Sequence, residues 1–158
     1  MTAEIAGGLE VTSGLHGETG SIINWQLAAY VYPRKLGRVF NSTTTFRVEG
    51  IPPKRQPDVS FVTLERMPTP IDDEVPFAPD FVVEIVSRND TAYEIREKVA
   101  QYQKSGVRLI WVVYPVSKTV EIYHLDRGLL PQVLSVVDAL VGEDVVPGFK
   151  LKVSDFFE

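Results

Sequence analysis

The chain has 158 residues, 44% apolar and 23% charged, with a formal net charge of −5 and no cysteine. That length suits one domain with a buried core, and no apolar run approaches the roughly 20 residues a membrane span needs. Without cysteine there are no disulfides, thiol nucleophiles or cysteine–zinc sites, and the acidic balance argues against a sequence-blind coat on nucleic acid, which needs a broad basic surface. The opening MTAEIAGGLE lacks a basic-then-apolar leader, so the expected location is the cytoplasm. Residues 1–15 read as a flexible N-terminal extension of a single domain spanning 1–158.

Residues 17–32 (GETGSIINWQLAAYVY) set Ile22, Ile23, Leu27, Tyr30 and Val31 at helical spacing, and Pro33 helps to end the run. Residues 38–49 (RVFNSTTTFRVE) are rich in β-branched and aromatic side chains and predict one or two strands. GIPPKRQ reads as a turn and PDVSFVTL as a strand. ERMPTPIDDEVPFA, with its prolines and the acidic triplet Asp72, Asp73 and Glu74, reads as a solvated loop. DFVVEIVS is a short apolar run of the kind found in buried strands. TAYEIREKVAQYQKSG predicts a helix marked at both ends, by a Thr91–Glu94 capping box and by Gly106 as C-terminal cap. RLIWVVY, KTVEIYHL and LPQVLSVV follow as strands, and alternation from Phe149 leads into aromatics that seal the core. The order predicts an α/β fold, a mixed β-sheet flanked by helices.

Glu84 is the anomaly, because an unpaired ionised side chain in an apolar strand is costly. Asp58, at the start of the preceding strand, can converge with it on one Mg²⁺ or Mn²⁺, ions that favour oxygen ligands. Asp80 shares the strand face of Glu84 but lies about 13 Å along it, at roughly 3.3 Å per residue, too far to share an ion. On the second helix Ile95, Val99 and Tyr102 define the apolar face, and Lys98 falls at its rim, where its stem can carry the ammonium to the strand ends. Two carboxylates, a divalent metal and a lysine are the parts of phosphodiester hydrolysis.

Asp58 within PD, E-I-V-S some two dozen residues later, R-x-K-x-x-x-Y-x-x-x-G and an apolar strand ending in YP together resemble the PD-(D/E)XK nuclease superfamily. Within it the chain resembles the Uma-two branch of restriction endonucleases, from about residue 16 through the closing VVPGFKLKVSDFF. The resemblance implies a restriction-endonuclease-like core and a DNA endonuclease acting as a homodimer. It also implies Mg²⁺ or Mn²⁺ held by Asp58, Glu84 and the Ile85 backbone carbonyl, with Lys98 assisting the attacking water. The basic superfamily pattern has its lysine two residues after the glutamate, where this chain has Val86. The branch carries that lysine on the following helix, the place of Lys98.

Each residue also has a plainer reading. Glu84 can pair with Arg108 at an open strand end, Asp58 can be a turn carboxylate, and Lys98 can pair with Glu94 one turn back. Lys54 and Arg55 are candidate phosphate contacts, as are Arg34, Lys35 and Arg38; all can equally be solvated turn residues. Glu18 can add a carboxylate from the first helix or simply favour its N-terminus. His16 and His124 lack metal-ligand spacing and read as structural, and Gln101 lies farther round the helix than Lys98. Trp25, Trp111 and the aromatic tail are core residues or dimer contacts. Two rival functions stay open: an inactive nuclease-fold binding module, favoured by Val86 and the acidic charge, and an unrelated α/β domain with a structural Glu84. In the latter Glu84→Gln is neutral or stabilising.

Overall fold

The computed structural model describes residues 13–157. Residues 1–12 of the expected N-terminal extension lie outside the described residues. Gly14 and Leu15, also assigned to that extension, instead belong to the first helix, α1 (Gly14–Val31). Ser13 starts this helix earlier than the apolar spacing indicates, because its hydroxyl accepts the His16 N–H and caps the first turn.

Strands β1 (Gly37–Phe40) and β2 (Phe46–Arg47) come from the β-branched segment. The expected turn contains a two-residue strand, β3 (Lys54–Arg55), which pairs with β2. Next are β4 (Val59–Thr63), β5 (Phe81–Ile85), α2 (Ala92–Lys104), β6 (Leu109–Tyr114), β7 (Thr119–His124) and β8 (Gln132–Leu134). The chain closes with a hairpin of β9 (Ala139–Val141), not expected from the sequence, and β10 (Lys150–Lys152).

The main sheet has six strands in the order β1-β4-β5-β6-β7-β8. Only β5 and β6 run parallel, joined by α2 as the crossover, and the other neighbouring pairs are antiparallel. β5 is covered on both sides, which is why it reads as an unbroken apolar run. Phe81, Val83 and Ile85 join the core under α1, with Ile23, Leu27, Trp111 and Phe149. Val82 points the other way, into the core of Ile95, Val99 and Tyr102 beneath α2. By the same alternation Glu84 belongs to the α2 side.

Trp111 and the tail residues Phe156 and Phe157 are buried, so their role is in the core and not in contacts with another molecule. Trp25 differs: it is 66% exposed. Its position on α1 is two residues from buried Ile23 and Leu27, on the opposite side of the helix from the sheet. Among the described residues no helix is long and apolar enough to cross a membrane.

Candidate active site

The register of β4 against β5 builds the centre of the site. Val59 faces Val83, so the next step outward sets Asp58 opposite Glu84. Asp58 bridges the two strands as well: its Oδ2 accepts the Ile85 N–H at 2.7 Å. Glu84 is 5% exposed, and both its oxygens are engaged from α2. Lys98 Nζ lies 3.3 Å from Oε1, and the Tyr102 hydroxyl donates to Oε2 at 2.6 Å. Lys98 and Tyr102 are one turn apart, so a single helical face delivers both donors. The capping box that starts α2 is present, with the Thr91 hydroxyl accepting the Glu94 N–H and the Glu94 carboxylate accepting the Thr91 N–H.

Electrostatics follow from this packing. Burial pushes the Glu84 carboxyl above its ordinary range, and neighbouring Asp58 adds to the rise against the opposing pull of Lys98 and Tyr102. Asp58 is also raised by burial, against the Ile85 N–H, His16 and Lys98. For Lys98 burial works to lower the ammonium, but Glu84 outweighs it and the net direction is upward. Burial and then Glu84 hold the Tyr102 phenol far above its ordinary value, so it remains a donor.

Two clefts flank the carboxylate pair. The first, about 450 Å³, is lined by Glu84, Lys98, Tyr102, Lys54, Arg55 and neighbouring polar side chains. Lys54 is held by Glu74 at 2.6 Å, and Arg55 Nε donates to Gln101 Oε1 at 2.8 Å. The second cleft, about 390 Å³, lies on the α1 side and is bordered by Asp58, Ile85, His16 and Trp25.

Several side chains differ from their sequence reading. Arg108 does not pair with Glu84; it lies 3.5 Å from buried Asp80, which also binds Arg66 at 3.1 Å and accepts the Thr63 N–H at the far end of the strands. Glu18 is exposed in the second turn of α1 and borders neither cleft, so it adds no carboxylate to the centre and sits beyond the first turn, where the helix dipole acts. Glu74 of the acidic triplet is tied to Arg47 and Lys54 and is not simply solvated. Gln101 is 8% exposed and fastens the loop before β3 to α2 through Glu49 and Pro52 carbonyls. His124 bonds Glu143 at 2.7 Å, away from the centre.

Two neighbours of the centre were not singled out as functional by spacing. Tyr102 reads as a core aromatic, and only its position four residues after Lys98 hints that its hydroxyl points the same way. His16 Nε2 comes to 3.6 Å from Asp58 Oδ1 across a contact between α1 and β4. No local pattern could have indicated it, because 41 residues lie between the pair along the chain and only the fold brings them together.

Among the described residues no three His, Asp or Glu side chains form a ready-made metal cage. The donors at the centre are oxygens on two carboxylates and strand backbone, with His16 at the edge. That chemistry fits Mg²⁺ or Mn²⁺, which are commonly held through one or two carboxylates, with waters and substrate phosphate completing the shell.

Residues 3–154 match the family Uma2, described as "Putative restriction endonuclease". The fold is also that of a solved structure from Anabaena variabilis ATCC 29413, titled as a putative nuclease belonging to DUF820. The TM-score is 0.80 at 19% identity, over 94% of this chain and 83% of the other. No match is found among proteins of curated function.

Proposed function

The chain belongs to the Uma2 family of restriction-endonuclease-like proteins, and from that premise we propose a metal-dependent endonuclease that hydrolyses phosphodiester bonds in DNA. The observation that carries the proposal is the carboxylate pair Asp58 and Glu84 on adjacent strands, with Lys98 on Glu84. Asp58, Glu84 and the Ile85 carbonyl would hold Mg²⁺ or Mn²⁺, whose chemistry when bound is to acidify a water and offset charge at phosphorus. Lys98, on the same cleft as Lys54 and Arg55, supplies positive charge where the anionic transition state develops. Lys54 and Arg55 are assigned to the flanking phosphates. Tyr102 fixes one oxygen of Glu84 and leaves the other to Lys98. One such set per chain calls for a homodimer to cut both strands, and the cytoplasm is the assigned setting.

The test is nicking of supercoiled plasmid with Mg²⁺ or Mn²⁺ by the native protein and by folded Asp58→Ala, Glu84→Ala and Lys98→Ala. The expected result is nicking by the native protein alone. Activity that survives in all three variants sinks the assignment of these residues.

A second reading is a nuclease fold that no longer cuts and serves as a binding module. It is favoured by the completeness of the Glu84 contacts: a lysine and a tyrosine satisfy the carboxylate without a metal ion. Calorimetric titration with Mn²⁺ separates the two, since binding abolished by Asp58→Ala and Glu84→Ala belongs to the first.

A further inference from the structure

The second cleft has a different chemistry from the first. Among its described lining residues there is no lysine or arginine, so it is poorly suited to phosphate. Apart from His16 and Asp58, its polar groups are neutral amides and hydroxyls, including Ser21, Asn41 and Ser42, and its rim carries the exposed indole of Trp25. At its inner end it reaches Asp58 and Ile85. A volume of about 390 Å³ lies within the range of small-molecule sites.

Gly17 adds an independent sign. Glycine within a helix is destabilising relative to alanine, and here a Cβ would meet nothing within 4 Å. Close packing therefore does not require the glycine. Gly20, one turn on, is different: its Cβ would lie 3.1 Å from the Ile85 side chain, so helix–sheet contact accounts for it. At Gly17 the missing side chain leaves the cleft wider.

We propose that this cleft receives one unpaired nucleobase, stacked on Trp25 and bounded by the amide and hydroxyl groups, next to the phosphate at Asp58. The inference rests on the nuclease reading and narrows it: the substrate is single-stranded or locally unpaired at the site of attack. Every base offers a π-face, so an aromatic platform holds it without demanding one sequence. The basic first cleft and the second one, which lacks lysine and arginine, then take the two halves of a nucleotide, phosphate and base, on either side of the carboxylates.

The molecule carries its own reporter. It has two tryptophans, and Trp111 is fully buried, so a change in emission on binding reports Trp25. The experiment titrates the full chain, with Ca²⁺ replacing Mg²⁺, with a short oligothymidylate and with an abasic strand of equal length. Quenching by the thymidine strand and not by the abasic strand is expected. Trp25→Ala should weaken binding of the thymidine strand about five- to hundredfold, the usual range for loss of one stacked base. Trp25→Phe should recover most of the affinity. Gly17→Ala should raise thermal stability, and Gly17→Leu should block the cleft and weaken binding with Trp25 still present. Equal binding of the two strands, unchanged in Trp25→Ala, overturns the base site while leaving the nuclease reading intact. Absence of binding by either strand also overturns the base site, while the nuclease reading stands or falls on the plasmid nicking described above.

Discussion

A carboxylate as buried as Glu84 is held as an anion only by the groups that face it. Lys98 and Tyr102 supply those contacts, yet the net direction of its ionisation remains upward because burial and Asp58 outweigh them. Stability then depends on pH in a defined sense. In the unfolded chain the glutamate ionises near its ordinary 4.5, and in the fold it ionises higher. Between those two values the native state binds more protons than the unfolded state, so stability falls as pH rises through the window. Above the window the cost is present in full. Metal-free Glu84→Gln should therefore gain stability relative to the native protein as pH rises from the ordinary carboxylate range to neutrality. Urea unfolding of both proteins across that range measures the difference, and a gap that does not change with pH would contradict the assignment.

The same residues depend on the elements that carry them. α2 presents Lys98 and Tyr102 one turn apart, and its register is set from Thr91, where two backbone donors are capped reciprocally. Thr91→Ala removes one cap and should cost about 1 kcal/mol. Urea denaturation would measure it, and a loss within error would show that tertiary packing alone fixes the start of α2. The β4–β5 pair works differently. Its register brings Asp58 to Glu84, and a slip of one residue would turn both strands' side chains over. Phe61, Phe81 and Val83 in the core hold it in place.

At the scale of the whole molecule, the two ends of the described chain close the core over the face of the sheet opposite α2. The Tyr30 hydroxyl donates to the Pro147 carbonyl at 2.7 Å, and the Tyr30 and Phe149 rings lie 5.5 Å apart. Phe149 also stacks on Trp111 at 6.2 Å. With Phe149 3% exposed, Phe149→Ala should cost about 3–5 kcal/mol, the usual range for emptying a buried phenylalanine site. Chemical denaturation gives the magnitude, and a red shift of Trp111 emission would locate the damage. A small loss without a shift would mean that the β9–β10 hairpin is not part of the core.

The sequence by itself determined what depends on neighbours along the chain. The β-branched run of β5, the T-x-x-E start of α2 and the oddity of Glu84 are local patterns, and they identified the α/β class and the central carboxylate. Its limits lay at short or distant pairings. β3 is two residues within a Pro-rich turn, too short to show a period, and it exists because β2 supplies its hydrogen bonds. By sequence Arg108 could pair with Glu84, and only the parallel register of β6 against β5 decides that it reaches Asp80 instead. The hydroxyl of Tyr102, the approach of His16 to Asp58 and the exposure of Trp25 were likewise decided by tertiary structure. Each depends on how a helix is rotated against the sheet, and that rotation is set by the packing of many side chains at once.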